Sequence, residues 1–230
     1  VSLSLAVILA QVEAECGLYP SGSYIGNGTN TGAVQLAALA NAAARTLRKF
    51  RWQYLRKTGS QALTTGTQAY ALPSDFWQIV PDTLYQSGVA YPSSLPTSPP
   101  GWAFLRSVGT TGLQYQCRIY QDKLQVLNAT TGDTLQFEYV SKYPISDAAL
   151  STSKEFFLVD TDVWRLDDEL LIREIKWRVK KEKGYDDWQA DQQDAVSYRA
   201  YLLGAEAGAQ TIVPTATPYY PAEPYTNLIV

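Results

Sequence analysis

The chain contains no histidine and no methionine, and only two cysteines among 230 residues. Without histidine it lacks the commonest general base and the commonest metal ligand. Cys16 and Cys117 lie far apart and outside any C-x-x-C spacing, so they read as free buried thiols in a reducing compartment. Long apolar runs are also missing. Ser2 to Val12 is apolar but short, has no basic stretch before it, and is followed by Glu13 and Glu15. Neither a signal peptide nor a membrane span is expected there. No P-loop, G-x-S-x-G, H-E-x-x-H or EF-hand pattern occurs. Asp167/Asp168 and Asp186/Asp187 are sequence neighbours, and neighbours on a helix point in different directions. They read as dipole and surface charges, not as an acid–base pair. No catalytic residue, metal or cofactor is expected.

One absence is local. Between Cys16 and Ser74 there is no acidic residue at all, although the whole chain carries a formal charge of −3. Arg45, Arg48, Lys49, Arg51, Arg56 and Lys57 fall in that interval. This cluster is either a solvated helix face, or one paired with acids elsewhere in the fold, or a face turned toward DNA or an acidic partner.

Apolar residues make up 46% of the chain and charged residues 18%, enough for a sizeable core. Leu5, Ile8, Leu9, Val12 and Cys16 recur at helical spacing after Ser2 or Ser4, and Gly17 ends that pattern. A second helix is expected over Thr31–Lys57, with Leu36, Leu39, Ala43, Leu47, Phe50 and Tyr54 on its buried side. From Thr58 the period shortens. Gln61–Thr67 and Gln68–Leu72 read as two short strands around a Thr-Gly turn. The Pro- and Ser-rich stretch from Gly88 to Gly101 reads as a loop, and Trp102–Val108 as a short helical turn. Leu113–Tyr120 and Lys123–Asn128 read as a hairpin turning at Gln121-Asp122, and Leu135, Phe137 and Tyr139 alternate on the next strand. Phe156–Val159 reads as a short extended piece. Asp160–Gly184 is the strongest helix signal, with Asp162 or Asp167 as its cap, acids at its start and lysines at its end. A last helix is expected over Tyr185–Ala209, antiparallel to it. Four prolines and three tyrosines between Gln210 and Val230 suggest a polyproline-like arm.

The fold class is therefore α+β: a helical bundle body made of N-terminal helices and a C-terminal helical hairpin, an inserted antiparallel β lobe, and an extended C-terminal arm. The expected units are the N-terminal helices (1–57), the β lobe with a long loop at 86–101 (58–159), the hairpin (160–209) and the arm (210–230).

Six blocks occur in order: LAVILAQVEAECGL (5–18), SYIGNGTNTGAVQLAALANAAARTLRKFRWQYL (23–55), YALPSDFWQIVPDTLY (70–85), SLPTSPPGWAFL (94–105), FEYVSKYPI (137–145) and DTDVWRLDDELLIREIKWRVKKEKGYDDW (160–188). In that order and spacing the chain resembles the head-to-tail connector (adaptor) proteins of tailed phages and prophages. The basic helix before RWQYL and the Pro/Tyr arm depart from the common pattern. The resemblance implies a structural, non-enzymatic virion protein at the neck, made in the bacterial host cytoplasm. It also implies a homo-dodecameric ring below the portal protein that joins a downstream tail or neck protein and lets double-stranded DNA pass without sequence recognition. Arg45, Arg48, Lys49 and Arg51 are then candidates for a subunit or DNA-channel contact. Tyr219, Tyr220, Tyr225, Leu228 and Ile229 are candidates for an arm docking on the portal or a neighbour. The alternative is a tail-associated binding module whose aromatic loops, at 85–102, contact a glycan or a tail fibre.

Overall fold

The computed structural model describes residues 2–26, 30–89, 93, 98–108 and 115–208. Helix α1 (Leu5–Glu15) is followed by α2 (Thr31–Leu47) and a 3-10 turn (Gln53–Leu55). Strands β1 (Arg56–Ala62), β2 (Ala69–Ala71), β3 (Phe76–Ile79) and β4 (Tyr85–Gln86) lead to a helix, α3 (Pro99–Val108). Strands β5 (Cys117–Tyr120), β6 (Lys123–Val126), β7 (Thr134–Ser141), β8 (Ile145–Ser146), β9 (Ser153–Lys154) and β10 (Val163–Trp164) follow. Helices α4 (Asp168–Lys183) and α5 (Trp188–Gly208) close the described chain. The protein is α+β, and its paired strands are antiparallel. The expected arm at 210–230 lies outside the described residues, as do residues 90–92 and 94–97 of the loop at 86–101.

Two apolar cores form among the described residues. The first gathers Leu5, Ile8, Leu9 and Val12 of α1, Leu36, Ala40, Ala43 and Leu47 of α2, and Leu170, Leu171, Ile175 and Val179 of α4. Alanines at 33, 37, 40, 43 and 44 line the buried side of α2, which lets the neighbouring helices approach closely. The second core joins Leu63, Tyr70, Leu84, Cys117, Leu124 and Val126 with Leu135, Phe137 and Tyr139 of β7. Strand β7 belongs to both, because its side chains alternate between faces. Leu135, Phe137 and Tyr139 face the strand core, whereas Val140 lies in the helical one.

Strand β7 is the spine of the largest sheet. It pairs with β1 along one edge, from Arg56 opposite Val140 to Ala62 opposite Thr134, and with β3 and β4 along the other. At the middle of the first pairing Gly59 faces Phe137. A Cβ on Gly59 would come within 2.6 Å of two atoms of that ring. The ring thus occupies the space that a side chain at position 59 would need. Gly59→Val is expected to destabilise the fold by about 1–3 kcal/mol through overpacking. A thermal melt checks this, and an unchanged midpoint would mean that Phe137 has another place to go.

Several expected boundaries move. Helix α2 stops at Leu47, ten residues short of Lys57. The segment after it places Trp52 and Leu55 in the helical core, and the Trp52 indole N–H donates to the Leu47 carbonyl at 2.8 Å. Burial of that indole at an extended spacing outweighs the helix propensity of the basic residues. Phe50 packs against the core, but Tyr54 is 59% exposed. Of the two strands expected around the Thr-Gly turn, the second forms as β2, but the first does not run over Gln61–Thr67: it lies earlier, at Arg56–Ala62, and the two do not pair with each other. Strand β1 reaches Ala62 and pairs with β7, while β2 pairs with β6. The longer ladder on β7 takes β1 away from its sequence neighbour. The expected hairpin, by contrast, is present: β5 and β6 pair, and Gln121 and Asp122 both have positive φ, as a two-residue type I′ turn requires.

The strongest expected helix also starts late. Residues 160–167 are not helical, and Val163 and Trp164 pair with β8 instead. The three aspartates in this stretch accept hydrogen bonds from backbone amides, which competes with helix formation. Asp167 is the actual cap and accepts from the Leu170 amide at 2.8 Å. At the other end Gly184 takes a left-handed conformation (φ 73°), and α4 stops there. Phe156–Val159 forms no strand: the amides of Leu158 and Val159 turn inward to Asp162.

Candidate assembly surfaces

The basic cluster is built on the C-terminal end of α2 and the turn that follows. Arg45, Lys49 and Arg51 are exposed, and Arg48 is half-buried. Arg48 is held by its own fold: it donates to Glu155 at 2.5 Å, and its guanidinium lies 5.5 Å from the Trp77 ring centre. Arg45 lies over Phe156, which adjoins Glu155. Arg165 lies over the exposed Tyr54 ring and donates to Ser153. The end of α2, the turn at 53–55 and the strip 153–156 therefore share one neighbourhood. The acids nearby have partners of their own: Glu155 with Arg48, Asp75 with Lys57, and Asp162 with Lys154. Arg45, Lys49 and Arg51 thus carry positive charge on an aromatic-flanked surface, whereas Arg48 supports that surface from within.

The helical hairpin is held differently. Of the apolar side chains of α5, only Ala195 is fully buried among the described residues; Tyr198, Leu202 and Leu203 pack partly buried against the helical core, and polar pairs add further links to α4. Arg173 bridges Glu169 and Asp194, Lys176 bridges Glu15 and Asp191, and Lys180 bridges Asp187 and Asp191. Of the lysines read from the sequence as a response to the helix dipole, Lys180 also fastens α4 to α5, while Lys176, one turn earlier, fastens it to α1. At the centre lies Glu174, 2% exposed, which accepts from Trp177, Arg178 and Arg199.

Four further carboxylates are buried or partly buried, and each is surrounded by donors of its own. Glu13 accepts from the Tyr24 hydroxyl and the Ser21 amide. Asp160 accepts from the Ser23 hydroxyl and from the amides of Tyr24 and Ile25. Partial burial opposes ionisation of Asp160, but these donors win and hold its carboxyl below the usual range. Asp75 accepts from Lys57, Tyr139 and Ser141; burial again opposes and the donors again prevail. Asp162 is fully buried between Lys154 and two amides. These groups stitch loops to strands. Sequence reading missed them, and the signal that could have revealed them is the run of aspartates at 160, 162 and 167, whose side chains suit loops better than a helix interior.

Both thiols are buried and free, and burial pushes Cys117 up to about 12, far from a thiolate at neutral pH. Among the described residues no group of three or more acids or cysteines is placed to hold a metal ion. No helix among them is long and apolar enough to cross a membrane. Trp102, at the edge of the stretch read as a sugar-stacking loop, is 4% exposed and lies under the Arg118 guanidinium, 4.6 Å away. Its ring has no free face of the kind a sugar needs. The arm residues Tyr219, Tyr220, Tyr225, Leu228 and Ile229 lie outside the described residues.

A search of curated proteins finds no match. A family model does match, that of the SU10 adaptor protein, over residues 8–220. That span contains the strand core, every buried residue of the helical core but Leu5, the spine strand β7 and the helical hairpin. The chain belongs to the SU10 adaptor protein family, and is a structural adaptor component of a phage virion.

Proposed function

We propose that the protein forms a ring below the portal at the head-to-tail junction, continues the DNA channel there, and offers the platform on which the downstream tail or neck protein assembles. The family match over most of the chain carries this reading. Charge distribution supports the ring. Residues 17–73 hold six of the chain's 19 cations and none of its 22 acids, so the rest of the chain sets 13 cations against 22 acids. Many of those acids are buried or paired within the fold, but exposed ones such as Asp82, Asp122 and Glu182 give the basic strip on one copy acidic surface to meet on the next. A strip facing inward would instead grip DNA in a salt-dependent way at every copy, which suits a sliding polymer poorly. Arg45, Lys49 and Arg51 are assigned to the subunit contact and Arg48 to its support. The arm at 210–230 reaches the portal or a neighbour and orders on binding, so that assembly is sequential.

Electron microscopy of portal-bearing heads mixed with the purified protein tests this reading. Rings on the portal are expected for the natural sequence, and a failure to bind would overturn it. The triple variant Arg45→Glu, Lys49→Glu, Arg51→Glu is expected to keep its melting temperature, because all three side chains are exposed, and to lose the rings. Heads emptied of DNA should accept the natural protein equally well. If only DNA-filled heads do so, the strip faces the channel.

A further inference from the structure

A cleft of about 230 Å³ opens between the loop after α1, the start of α2 and the end of α4. Its floor is apolar: Leu18, Leu36, Leu39 and Val179. Its rim is polar, with Gln35 on α2 and Glu182 and Lys183 on α4. Beside the floor stands Tyr19, 95% exposed, followed by Pro20. The volume falls below the roughly 300–1,000 Å³ of small-molecule sites. It suits one or two side chains of an extended peptide, with an aromatic ring at the mouth for a proline to stack on.

We infer that the Pro/Tyr segment 214–225 of this chain docks in this cleft. Its composition fits. Pro214, Pro218, Pro221 and Pro224 favour an extended polyproline-like backbone that loses little entropy on binding, and Tyr219, Tyr220 and Tyr225 supply flat apolar rings with a hydroxyl for the rim. The segment carries a single charge, Glu223, and the cleft rim sets Lys183 beside Glu182, so the contact is governed by the apolar floor and the rings more than by charge. Reach is sufficient. The helix α5 begins beside the cleft and runs away from it for about 30 Å, ending where Glu206 bonds to Gln53. Tyr219 lies eleven residues beyond Gly208, about 34 Å at ~3.1 Å per residue, so the Tyr219–Tyr225 end of the segment can enter the cleft while Pro214 lies on the approach to it. In a ring, the same contact made on a neighbouring copy would fasten the two together. The docking itself does not depend on the ring.

The test uses a fluorescein-labelled peptide of residues 212–227 and the full chain carrying Tyr219→Ala, Tyr220→Ala and Tyr225→Ala, so that its own segment does not compete. Fluorescence anisotropy is expected to rise to saturation. Adding Tyr19→Ala to the same chain is expected to weaken binding about tenfold, or ~1.4 kcal/mol. Tyr201→Ala, at another exposed ring, on α5 and away from the cleft lining, is expected to change nothing. No saturable binding overturns the inference, as does binding that ignores Tyr19→Ala or responds equally to Tyr201→Ala. Peptide binding that persists with a protein unable to form rings on heads leaves the docking intact and overturns the ring reading alone.

Discussion

Replacing Glu174 with leucine is expected to lower stability by about 3–5 kcal/mol, more than any surface change in the molecule. Glu174 is 2% exposed and sits where α4, α5 and α2 meet. It accepts from the Trp177 indole at 3.0 Å, from Arg199 of α5 at 2.8 Å, and from Arg178, which also reaches Thr46 of α2. Arg199 lies over the Phe50 ring and Arg178 over the Trp177 ring, so both guanidiniums are fixed by aromatic contacts. Leucine would fill the space but leave two largely covered cations facing each other with no anion. That penalty, not the loss of an attractive pair, is the main cost. Two companions separate the terms. Glu174→Gln keeps an acceptor and the shape, and should lose less. The triple change Glu174→Leu, Arg178→Met, Arg199→Met removes all three charges and should recover much of the loss. Denaturant midpoints with unchanged slopes would report this directly. At roughly 2–4 °C per kcal/mol for a chain of this size, the single leucine variant should melt at least 6 °C lower. A shift under about 1 kcal/mol would mean that water reaches the two arginines.

The same residues show what could be read before the structure and what could not. The apolar periodicity of α1, α2 and α4 was legible, because burial on one side of a helix leaves a repeat near 3.6. So was the hairpin at Gln121-Asp122, since alternation on both sides brackets a two-residue turn. The end of α2 was not legible, because the residues after Leu47 have good helix propensity, and the reason they leave the helix is Trp52 finding the core. Nor were the partners of β1 and β2, since pairing is decided by competition among strands far apart in sequence, and the eight-residue β7 outcompetes a local turn. The basic cluster was visible as an interval without acids. Its sorting into Arg48, which serves the fold, and Arg45, Lys49 and Arg51, which do not spend their charge on it, needed Glu155 and Trp77 in three dimensions. The hairpin network lay hidden for a related reason: acids and bases on two helices become pairs only once the crossing is known.

The second large effect is expected at Asp162, and its logic is the reverse of that at Glu174. There a central acid quenches two cations; here one fully buried carboxylate serves two backbone amides and one ammonium. Its oxygens accept from Lys154 Nζ at 2.5 Å, from the Leu158 amide at 2.7 Å and from the Val159 amide at 3.1 Å. Asp162→Ala would deprive all three donors of their acceptor, two of them main-chain groups that no rotamer change can carry to water. An amide left unpaired under cover costs about 1–3 kcal/mol; Leu158 and Val159 are themselves exposed residues and Lys154 can turn to water, so a loss of about 2–3 kcal/mol is expected. Asparagine should rescue little, because its NH2 group would face either the ammonium or an amide, donor against donor. Asp162→Asn with Lys154→Met should rescue more, since the amide oxygen can then turn to the two backbone donors with no cation left over. Asp160→Asn, by contrast, should be mild. Its carboxylate is only partly covered, and an asparagine oxygen can still accept from the amides of Tyr24 and Ile25. Hydrogen exchange at Leu158 and Val159 gives the sharpest readout: protection should fall there in Asp162→Ala and persist in Asp160→Asn. Equal protection in both would show that the turn at 157–160 is held by the packing of Phe157 against Trp164 and not by the carboxylate beneath it.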